Sequence, residues 1–168
     1  MNYPISDLCD EYRDETSVFP EGFINFGRKK FLCAPAKTVR AHCNLAGPIA
    51  ILKSPGEGRV FVLDPDRTDY YAVFGGKMAH LAMESGWAGI IVNGYVRDAD
   101  YIASLDFGVW ALGACPRRPW EEETPMEEDA TLTIGEATLT TGHYIYADPD
   151  GLIVADRELE WHDPLTTV

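Results

Sequence analysis

The alternation of hydrophobic and polar positions changes its period twice between residues 58 and 94. "GRVFVLD" at 58–64 is a β-branched apolar run of the kind found in strands, and "AGIIVNG" at 88–94 is a continuous apolar run. Between them, "GGKMAHLAMESGW" at 75–87 spaces apolar residues by three and four positions and reaches Gly86, a common helix stop. Continuous apolar strands are typical of parallel sheets covered on both faces. The pattern predicts a strand, helix, strand unit with parallel strands.

Further elements are predicted on both sides of this unit. The expected helices are "ISDLCDEYRDE" at 5–15 with Ser6 as its N-cap, "AGPIAILKS" at 46–54 and "DADYIASL" at 98–105. The expected strands are "KTVRAHC" at 37–43, "FGVWALGAC" at 107–115, a hairpin in "ATLTIGEATLTTG" at 130–142 and another in "YIYADPDGLIVA" at 144–155. The charged stretch "RRPWEEETPMEEDA" at 117–130 is expected to be a surface loop.

The composition fits one domain and excludes several classes of protein. A chain of 168 residues is long enough to form one hydrophobic core but short for two domains, so we expect a single domain over residues 1–168. Asp and Glu outnumber Lys and Arg by 27 to 14, and a net charge of −13 would repel a phosphate backbone, which argues against nucleic-acid binding. No apolar run approaches the ~20 residues of a membrane helix, and the amino terminus lacks a signal-peptide pattern. We expect a cytoplasmic protein without a membrane partner.

The residues that follow the second apolar strand carry the candidate chemistry. In open α/β sheets, ligands bind beyond the carboxyl ends of parallel strands, where Arg97 and Asp98 are expected. Gly75-Gly76 begins the preceding helix, where backbone N–H groups at the positive end of the helix dipole can hold an anion. Two interpretations stay open. Either these groups bind a small carboxylate while Asp98 recruits a cation or takes a proton, or Arg97 and Asp98 form a surface ion pair beside close-packed glycines.

The same segment resembles the signature of a known family. Gly76, the twenty residues 77–96 and Arg97-Asp98 match the spacing found in the family of the regulator of ribonuclease E activity A and the metal-dependent 4-hydroxy-4-methyl-2-oxoglutarate aldolases. "SDLCDEY", "NFG", "GRVFVLD" and "YADPDGLIVA" resemble the family's other landmarks in the same order. The resemblance implies an α/β fold, namely a layered β/β/α swivelling-type domain with mixed sheets in one compact unit, and assembly as a homotrimer.

The resemblance also implies roles for particular residues. The segment whose backbone binds the substrate carboxylate in the aldolases is matched by Gly75, Gly76, Lys77 and Met78. Arg97 matches the arginine that contacts the pyruvate moiety and is the expected catalytic residue, and Asp98 matches the aspartate that anchors a divalent cation, Mg²⁺ or Mn²⁺. The implied substrate is a small 2-oxo acid. The implied reaction is retro-aldol cleavage of a 4-hydroxy-2-oxo acid, or decarboxylation of oxaloacetate, each through a pyruvate enolate.

Other interpretations depend on single positions. A Schiff-base aldolase would use Lys77, which we expect to be exposed on the first helical turn rather than desolvated. A non-catalytic inhibitor that binds ribonuclease E is the alternative from another class, but ribonuclease regulators of the family typically lack the aspartate found at Asp98. Tyr101 stands where the family usually has an acidic residue, so either the metal site lacks a second carboxylate or the tyrosine packs in the core, and a member with neither activity stays open. His80 is expected to be structural or exposed, although it lies one turn after Gly76.

Overall fold

Strand β3 (Leu32–Ala41) connects the two sheets from which the fold is built. The computed structural model describes residues 4–66, 70–120 and 124–162. The first residues of β3 pair antiparallel with β11 (Tyr144–Asp148), and its later residues pair parallel with β4 (Val60–Asp64). Most side chains of β3 are buried, as expected for a strand that belongs to two packed layers.

A parallel sheet forms one layer, with strand order β3, β4, β6 and β7. Strand β6 spans Gly89–Val96 and β7 spans Val109–Ala114. Three short strands extend this sheet: β2 (Ile24–Asn25) pairs with β7, β5 (Ala72–Phe74) with the end of β6, and β8 (Met126–Glu128) with β3. The carboxyl ends of β4, β5, β6 and β7 therefore lie along one edge of the sheet.

The second sheet is antiparallel and covers one face of the parallel sheet. Its strand order is β3, β11, β12 (Gly151–Ala155) and β1 (Thr16–Val18). A separate hairpin of β9 (Leu132–Ile134) and β10 (Ala137–Leu139) turns at Gly135-Glu136 and joins the same core. That core buries Val62, Ile91, Trp110, Leu132, Leu139, Ile145 and Leu152.

Helices cover the opposite face of the parallel sheet. They are α2 (Ala46–Leu52), α3 (Gly76–Glu84) and α4 (Ala99–Ser104), while α1 (Ile5–Glu11) packs outside the antiparallel sheet. Ala79 and Ala82 of α3 are fully buried against Phe61, Ile90 and other sheet residues. The order of layers is hence strand, strand, helix, which confirms the predicted β/β/α architecture with mixed sheets. In the described part of the chain, no helix has the length and apolar composition to cross a membrane.

The strand, helix, strand unit predicted for residues 58–94 is confirmed, since β4 and β6 pair in parallel and α3 lies between them in the chain. Both predicted hairpins and the helices α2 and α4 are also present. The pattern did not reveal β5, a strand of only three residues inserted before α3. This strand shapes the candidate site because it extends the sheet beside the end of β6.

The N-cap predicted at Ser6 is wrong. Helix α1 begins at Ile5, so Ser6 lies inside it. The N–H of Ile5 donates to Oδ2 of Asp148 at 3.0 Å, and Oδ1 of the same carboxylate accepts the N–H of Asp150 at 2.8 Å. A turn residue that is far away in the sequence therefore caps this helix, which satisfies an N–H that the helix itself leaves unpaired.

The prediction of a surface loop over residues 117–130 is wrong for its second half. Residues 121–123 lie outside the described residues, but Met126–Glu128 form the edge strand β8. Glu128 lies beside the buried Lys37, with Oε2 3.0 Å from Nζ, and Glu127 pairs with Arg40 at the same distance. Basic residues on β3 thus form ion pairs with this acidic segment. The pairing joins residues that are far apart in the chain, so the sequence of the segment alone does not predict it.

Candidate active site

A cleft opens at the edge of the parallel sheet where β5 and β6 end. Its volume is about 670 Å³. Its polar lining comprises Gly75, Gly76, Lys77, Arg97, Asp98, Tyr101 and Arg118, and its apolar lining comprises Leu45, Ile49, Ala72, Val73, Phe74 and Met78. The structure therefore brings together all six of the residues for which the sequence predicted a site role.

Asp98 turns its carboxylate back toward the start of helix α3. The residue follows β6 directly and adopts φ 61° and ψ 41°, a left-handed conformation that aspartate tolerates better than most residues. Its Oδ2 accepts the N–H of Gly76 at 3.1 Å and lies 3.7 Å from Nε of Arg97. A strand end, a helix start and a guanidinium thus meet at one carboxylate.

Gly75 and Gly76 allow these segments to approach one another. A Cβ at Gly75 would lie 3.0 Å from Oδ2 of Asp98 and 3.2 Å from Cγ of Arg97. A Cβ at Gly76 would lie 2.6 Å from Cδ1 of Tyr101, which is closer than real Cβ atoms come to their neighbours. The φ of Gly75, −150°, is ordinary extended backbone. Glycine is therefore needed at both positions because a Cβ would collide with neighbouring side chains, and not because the backbone adopts a conformation that only glycine tolerates.

The N–H groups at the start of α3 are divided between the protein and the cleft. Gly76 donates to Asp98, and Met78 donates to the carbonyl of Gly75 at 3.0 Å. The N–H groups of Gly75 and Lys77 have no acceptor among the described residues. They lie at the positive end of the helix dipole, so they can hold an anion.

Arg97 has donors left over for a ligand. Its backbone N–H is fixed by the carbonyl of Phe74 at 3.0 Å, and 41% of its side chain is exposed to the cleft and solvent. Within the described ranges of the chain, its terminal guanidinium nitrogens contact no acceptor. A guanidinium in this state can bind a carboxylate with two parallel hydrogen bonds.

The fit of a divalent cation depends on the second oxygen of Asp98. Oδ2 is occupied by Gly76, while Oδ1 has no hydrogen-bond partner in the part of the chain that the structure describes. No group of three or more His, Cys, Asp or Glu side chains that could hold an ion occurs within those residues. A single carboxylate oxygen fits Mg²⁺, which keeps several water ligands and binds through one or two carboxylates together with its substrate. It does not fit a cation that needs a cage of protein ligands.

Three further residues belong to the site or its edge. Tyr101 is 46% exposed, which rules out the interpretation that it packs in the core, and its hydroxyl lies 3.3 Å from Nδ1 of His80. His80 is exposed, as predicted, and touches the edge of the site only through this contact with Tyr101. Arg118 lines the cleft from the segment after β7, and sequence reasoning missed it. Ligands bind beyond the carboxyl ends of parallel strands, which is the reasoning that identified Arg97. The same reasoning applies to Arg118, because β6 and β7 end at the same edge of the sheet.

Lys77 and Met78 contribute to the cleft in different ways. Lys77 is exposed, as predicted, so its amine is not desolvated in the way that a Schiff-base lysine requires. Met78 is 9% exposed, and its side chain joins the core beneath the cleft. The thioether therefore forms part of the apolar floor rather than a polar contact.

A family model and the similar proteins of known sequence agree on one family. Residues 4–154 match the family model RraA-like, described as Aldolase/RraA. A protein of Alkalilimnicola ehrlichii named "Putative 4-hydroxy-4-methyl-2-oxoglutarate aldolase" is 36% identical over 95% of this chain and 98% of its own length. A protein of the same name from Xanthomonas campestris pv. campestris is 35% identical over 95% of each chain.

Solved structures show the same fold under different names. The RNA-processing inhibitor RraA from Thermus thermophilis superposes with a TM-score of 0.88 at 30% identity, over 95% of this chain and 96% of its own. A protein of Geobacillus kaustophilus HTA426, titled S-adenosylmethionine: 2-dimethylmenaquinone methyltransferase, gives a TM-score of 0.85 at 32% identity, over 98% and 99%. With the family model spanning most of the sequence and relatives matching it almost end to end, this chain belongs to the RraA-like family.

Proposed function

We propose that this protein is a divalent-metal-dependent carbon–carbon lyase that cleaves a substrate of the 4-hydroxy-4-methyl-2-oxoglutarate type and releases pyruvate, with oxaloacetate decarboxylation as a second activity. The observation that carries the proposal is the carboxylate of Asp98, which is fixed by the N–H of Gly76 while its other oxygen stays unpaired beside Arg97. The names of the curated relatives support the same reaction. A homotrimer, implied by the family resemblance, belongs to the same proposal.

Binding of the substrate begins with its 1-carboxylate. The N–H groups of Gly75 and Lys77 and the guanidinium of Arg97 are the donors available to it in the cleft. A carboxylate bound there by charge-assisted hydrogen bonds would place the adjacent 2-keto group near Asp98. Holding the substrate in one orientation is itself a large part of catalysis, because it removes the entropy cost of alignment from the chemical step.

Cleavage then moves charge toward the pyruvate fragment. The bond between C3 and C4 breaks, its electron pair passes to the fragment that carries C1–C3 as a pyruvate enolate, and the C4 hydroxyl passes its proton to water as C4 becomes a carbonyl. A proton from water then adds to C3 of the enolate and gives pyruvate. Arg97 offsets the developing negative charge, and the apolar wall of Val73, Phe74 and Met78 strengthens this interaction by excluding water. A divalent cation at Asp98 would supply Lewis-acid polarisation of the 2-keto oxygen.

A coupled assay for pyruvate tests the proposal. The protein is given 4-hydroxy-4-methyl-2-oxoglutarate or oxaloacetate with Mg²⁺, and with EDTA in a parallel sample. We expect pyruvate release that EDTA abolishes. We also expect that borohydride traps no covalent adduct between the protein and the substrate. Arg97→Ala should lower kcat/KM by about a hundredfold or more. Arg13→Ala, which removes an exposed arginine outside the cleft, is the matched control. Absence of pyruvate release at every Mg²⁺ concentration would overturn the proposal.

A second candidate function comes from another class. The Thermus thermophilis relative is titled an RNA-processing inhibitor, and a net charge of −13 suits a basic protein partner. In this interpretation the chain binds ribonuclease E and inhibits it without catalysis. A pull-down with ribonuclease E, run on the same preparation as the pyruvate assay, separates the two functions. Binding of ribonuclease E by the native protein, in a preparation that releases no pyruvate, would favour the inhibitor.

A further inference from the structure

The cleavage requires a proton to leave the C4 hydroxyl and a proton to reach C3, and the polar residues of the cleft differ in whether they can take part. Oδ2 of Asp98 accepts the N–H of Gly76, and its Oδ1 is the proposed ligand of the cation. Lysine and arginine side chains have no acceptor atom. Among the described residues that line the cleft, Tyr101 is the remaining side chain with an oxygen that can both accept and donate a proton.

The ring of Tyr101 lies along the first turn of helix α3. Its Cδ1 would be 2.6 Å from a Cβ at Gly76, and its hydroxyl lies 3.3 Å from Nδ1 of His80. His80 follows Gly76 by four residues, which is about 6 Å along the helix axis. The ring therefore connects the start of α3, where the proposed anion site lies, with an exposed imidazole.

The contact between Tyr101 and His80 joins a weak acid to a base. When the imidazole carries its proton on Nε2, Nδ1 is an acceptor and the phenol donates to it. A neutral phenol is a poor base, but it can take up a proton if its own proton moves to the imidazole in the same step. Tyr101 is 46% exposed, so water has access to its side chain.

We propose that Tyr101 and His80 form a proton relay for the lyase reaction, an inference that rests on the proposed function. The water that takes the proton of the C4 hydroxyl passes it to the phenol oxygen of Tyr101, whose own proton moves to Nδ1 of His80. The reverse transfer returns a proton through Tyr101 and the water to C3 of the enolate. The imidazolium is neutral again when pyruvate forms, so no proton is gained or lost over the cycle.

The relay requires a neutral imidazole at His80, since a protonated imidazole has no acceptor atom. Helix α2 carries no ionisable side chain. The other ionisable side chains of α3, of α4 with its N-cap, and of β6 are Lys77, Glu84, Asp98, Asp100, Tyr101 and Tyr95. Of these residue types and histidine, histidine is the one that ordinarily changes charge between about pH 5 and pH 8. The relay should therefore fail in acid solution.

Tyr101→Phe tests the relay because it removes the hydroxyl and keeps the ring against Gly76. Two rates are measured at saturating Mg²⁺: pyruvate release from 4-hydroxy-4-methyl-2-oxoglutarate, and exchange of the methyl protons of pyruvate with D₂O, followed by NMR. We expect both to fall by about a hundredfold, the lower end for general acid–base catalysis. KM and Mg²⁺ affinity should change by less than about twofold, because the groups proposed to bind substrate and cation remain.

Tyr12→Phe is the matched control for Tyr101→Phe. The hydroxyl of Tyr12 donates to the carbonyl of Glu160 at 2.7 Å, and helix α1 places it outside the antiparallel sheet, away from the cleft. This variant should keep the native rates of both reactions.

His80→Gln tests the second half of the relay. Glutamine can accept a hydrogen bond from the phenol but cannot take up its proton. At about pH 8, kcat should fall as it does in Tyr101→Phe, and the difference from the native protein should shrink toward about pH 5, where the native imidazole is protonated. A purely structural role of His80 would instead give a loss that does not follow pH.

The two reactions separate failure of the relay from failure of the proposed function. Pyruvate release and exchange at native rates in both relay variants, or a loss in His80→Gln that is constant with pH, would overturn the relay and leave the lyase in place. Exchange that depends on Tyr101 in a protein that does not cleave the substrate would keep the relay and remove the lyase activity. A native protein that performs neither reaction would overturn both.

Discussion

Oδ2 of Asp98 accepts the backbone N–H of Gly76 at 3.1 Å, although the two residues are 22 positions apart in the chain. This bond holds the end of strand β6 against the start of helix α3. It also decides which oxygen of the carboxylate stays available, because Oδ1 has no partner among the described residues. The orientation of the carboxylate proposed to hold a cation is thereby fixed by a neighbour that carries no side chain.

Asp98→Asn should separate cation binding from folding. The amide oxygen can still accept the N–H of Gly76, and asparagine tolerates the left-handed backbone, so the free energy of unfolding should change by less than about 0.5 kcal/mol. The lost charge should weaken Mg²⁺ binding by about tenfold or more. Calorimetric titration of Mg²⁺ measures the effect. Asp100→Asn, the same change at an exposed position two residues on, should bind Mg²⁺ as the native protein does.

Gly76→Ala should reveal how closely the two segments approach. The new Cβ would meet the ring of Tyr101 at 2.6 Å, so the ring or the helix must move, at a cost of about 1–2 kcal/mol. Thermal unfolding should show this as a Tm lowered by a few degrees. In a Tyr101→Ala background the same substitution should cost less, because the clashing ring is gone. An equal cost in both backgrounds would contradict the contact.

The periodic parts of the fold could be predicted from the sequence because the spacing of their buried apolar residues is visible within one short segment. The apolar runs of β4 and β6 and the helical spacing of α3 are each complete within one segment, and they gave the correct parallel unit. The position of Arg97 and Asp98 at the end of β6 followed from the general placement of ligands at strand ends. Their chemical roles stay predictions, since they depend on ligands.

Features that depend on distant partners could not be predicted in the same way. Strand β8 pairs with β3, where Lys37 and Arg40 also form ion pairs with its acidic residues, and nothing in residues 126–128 indicates a strand. The hydrogen bond from Gly76 to Asp98 likewise requires the left-handed backbone at Asp98. Sequence patterns report local periodicity, whereas these contacts are set by which segments the sheet brings side by side.

Asp148 should be essential for docking the first helix. Its two oxygens accept the N–H groups of Ile5 and Asp150, and the residue is 8% exposed. Asp148→Ala removes both bonds and should lower the free energy of unfolding by about 2 kcal/mol. Hydrogen exchange should show faster exchange of the amides of α1 than in the native protein. Asp150→Ala keeps the backbone N–H and should leave α1 protected.

Stability should depend on pH through the ion pair of Lys37 with Asp129, whose Nζ and Oδ1 are 2.9 Å apart. Hydrogen bonds from Thr141 and then from Lys37 lower the pKa of Asp129. Burial acts to lower the pKa of Lys37, but its hydrogen bonds to Asp129 and Glu128 outweigh that effect and raise the pKa. The carboxylate therefore stabilises the fold above the usual aspartate pKa of about 3.9, and this contribution is lost as the pH falls through the lowered value.

Asp129→Asn tests this dependence. The carboxylate is about half exposed, so the loss at neutral pH should stay below about 1 kcal/mol, or a few degrees in Tm. Asparagine also tolerates the positive φ of 57° at this position. Melting curves from pH 2 to pH 7 should show the difference between the two proteins shrinking toward the acid end. A difference that is constant over the whole range would exclude Asp129 as the titrating group.

Tyr101→Glu should strengthen metal binding. Tyr101 lines the cleft next to Asp98 and is 46% exposed, so a carboxylate placed there would stay hydrated and would not suffer the penalty of a buried charge. It would offer a second acidic group to the waters around a cation, and Mg²⁺ affinity should rise by about 1 kcal/mol. The contact with His80, 3.3 Å from the tyrosine hydroxyl, is lost at the cost of a few tenths of a kcal/mol at an exposed position.

Tyr101→Gln is the control for Tyr101→Glu, because glutamine has the size of glutamate without its charge. Mg²⁺ titration and a melting curve on the same sample give both quantities. Tighter Mg²⁺ binding in the glutamate variant alone, with a Tm close to that of the glutamine variant, is the expected result. Equal Mg²⁺ affinity in both variants would mean that position 101 does not face the cation. Tighter binding in both would mean that removal of the aromatic ring, rather than the added charge, opens the site.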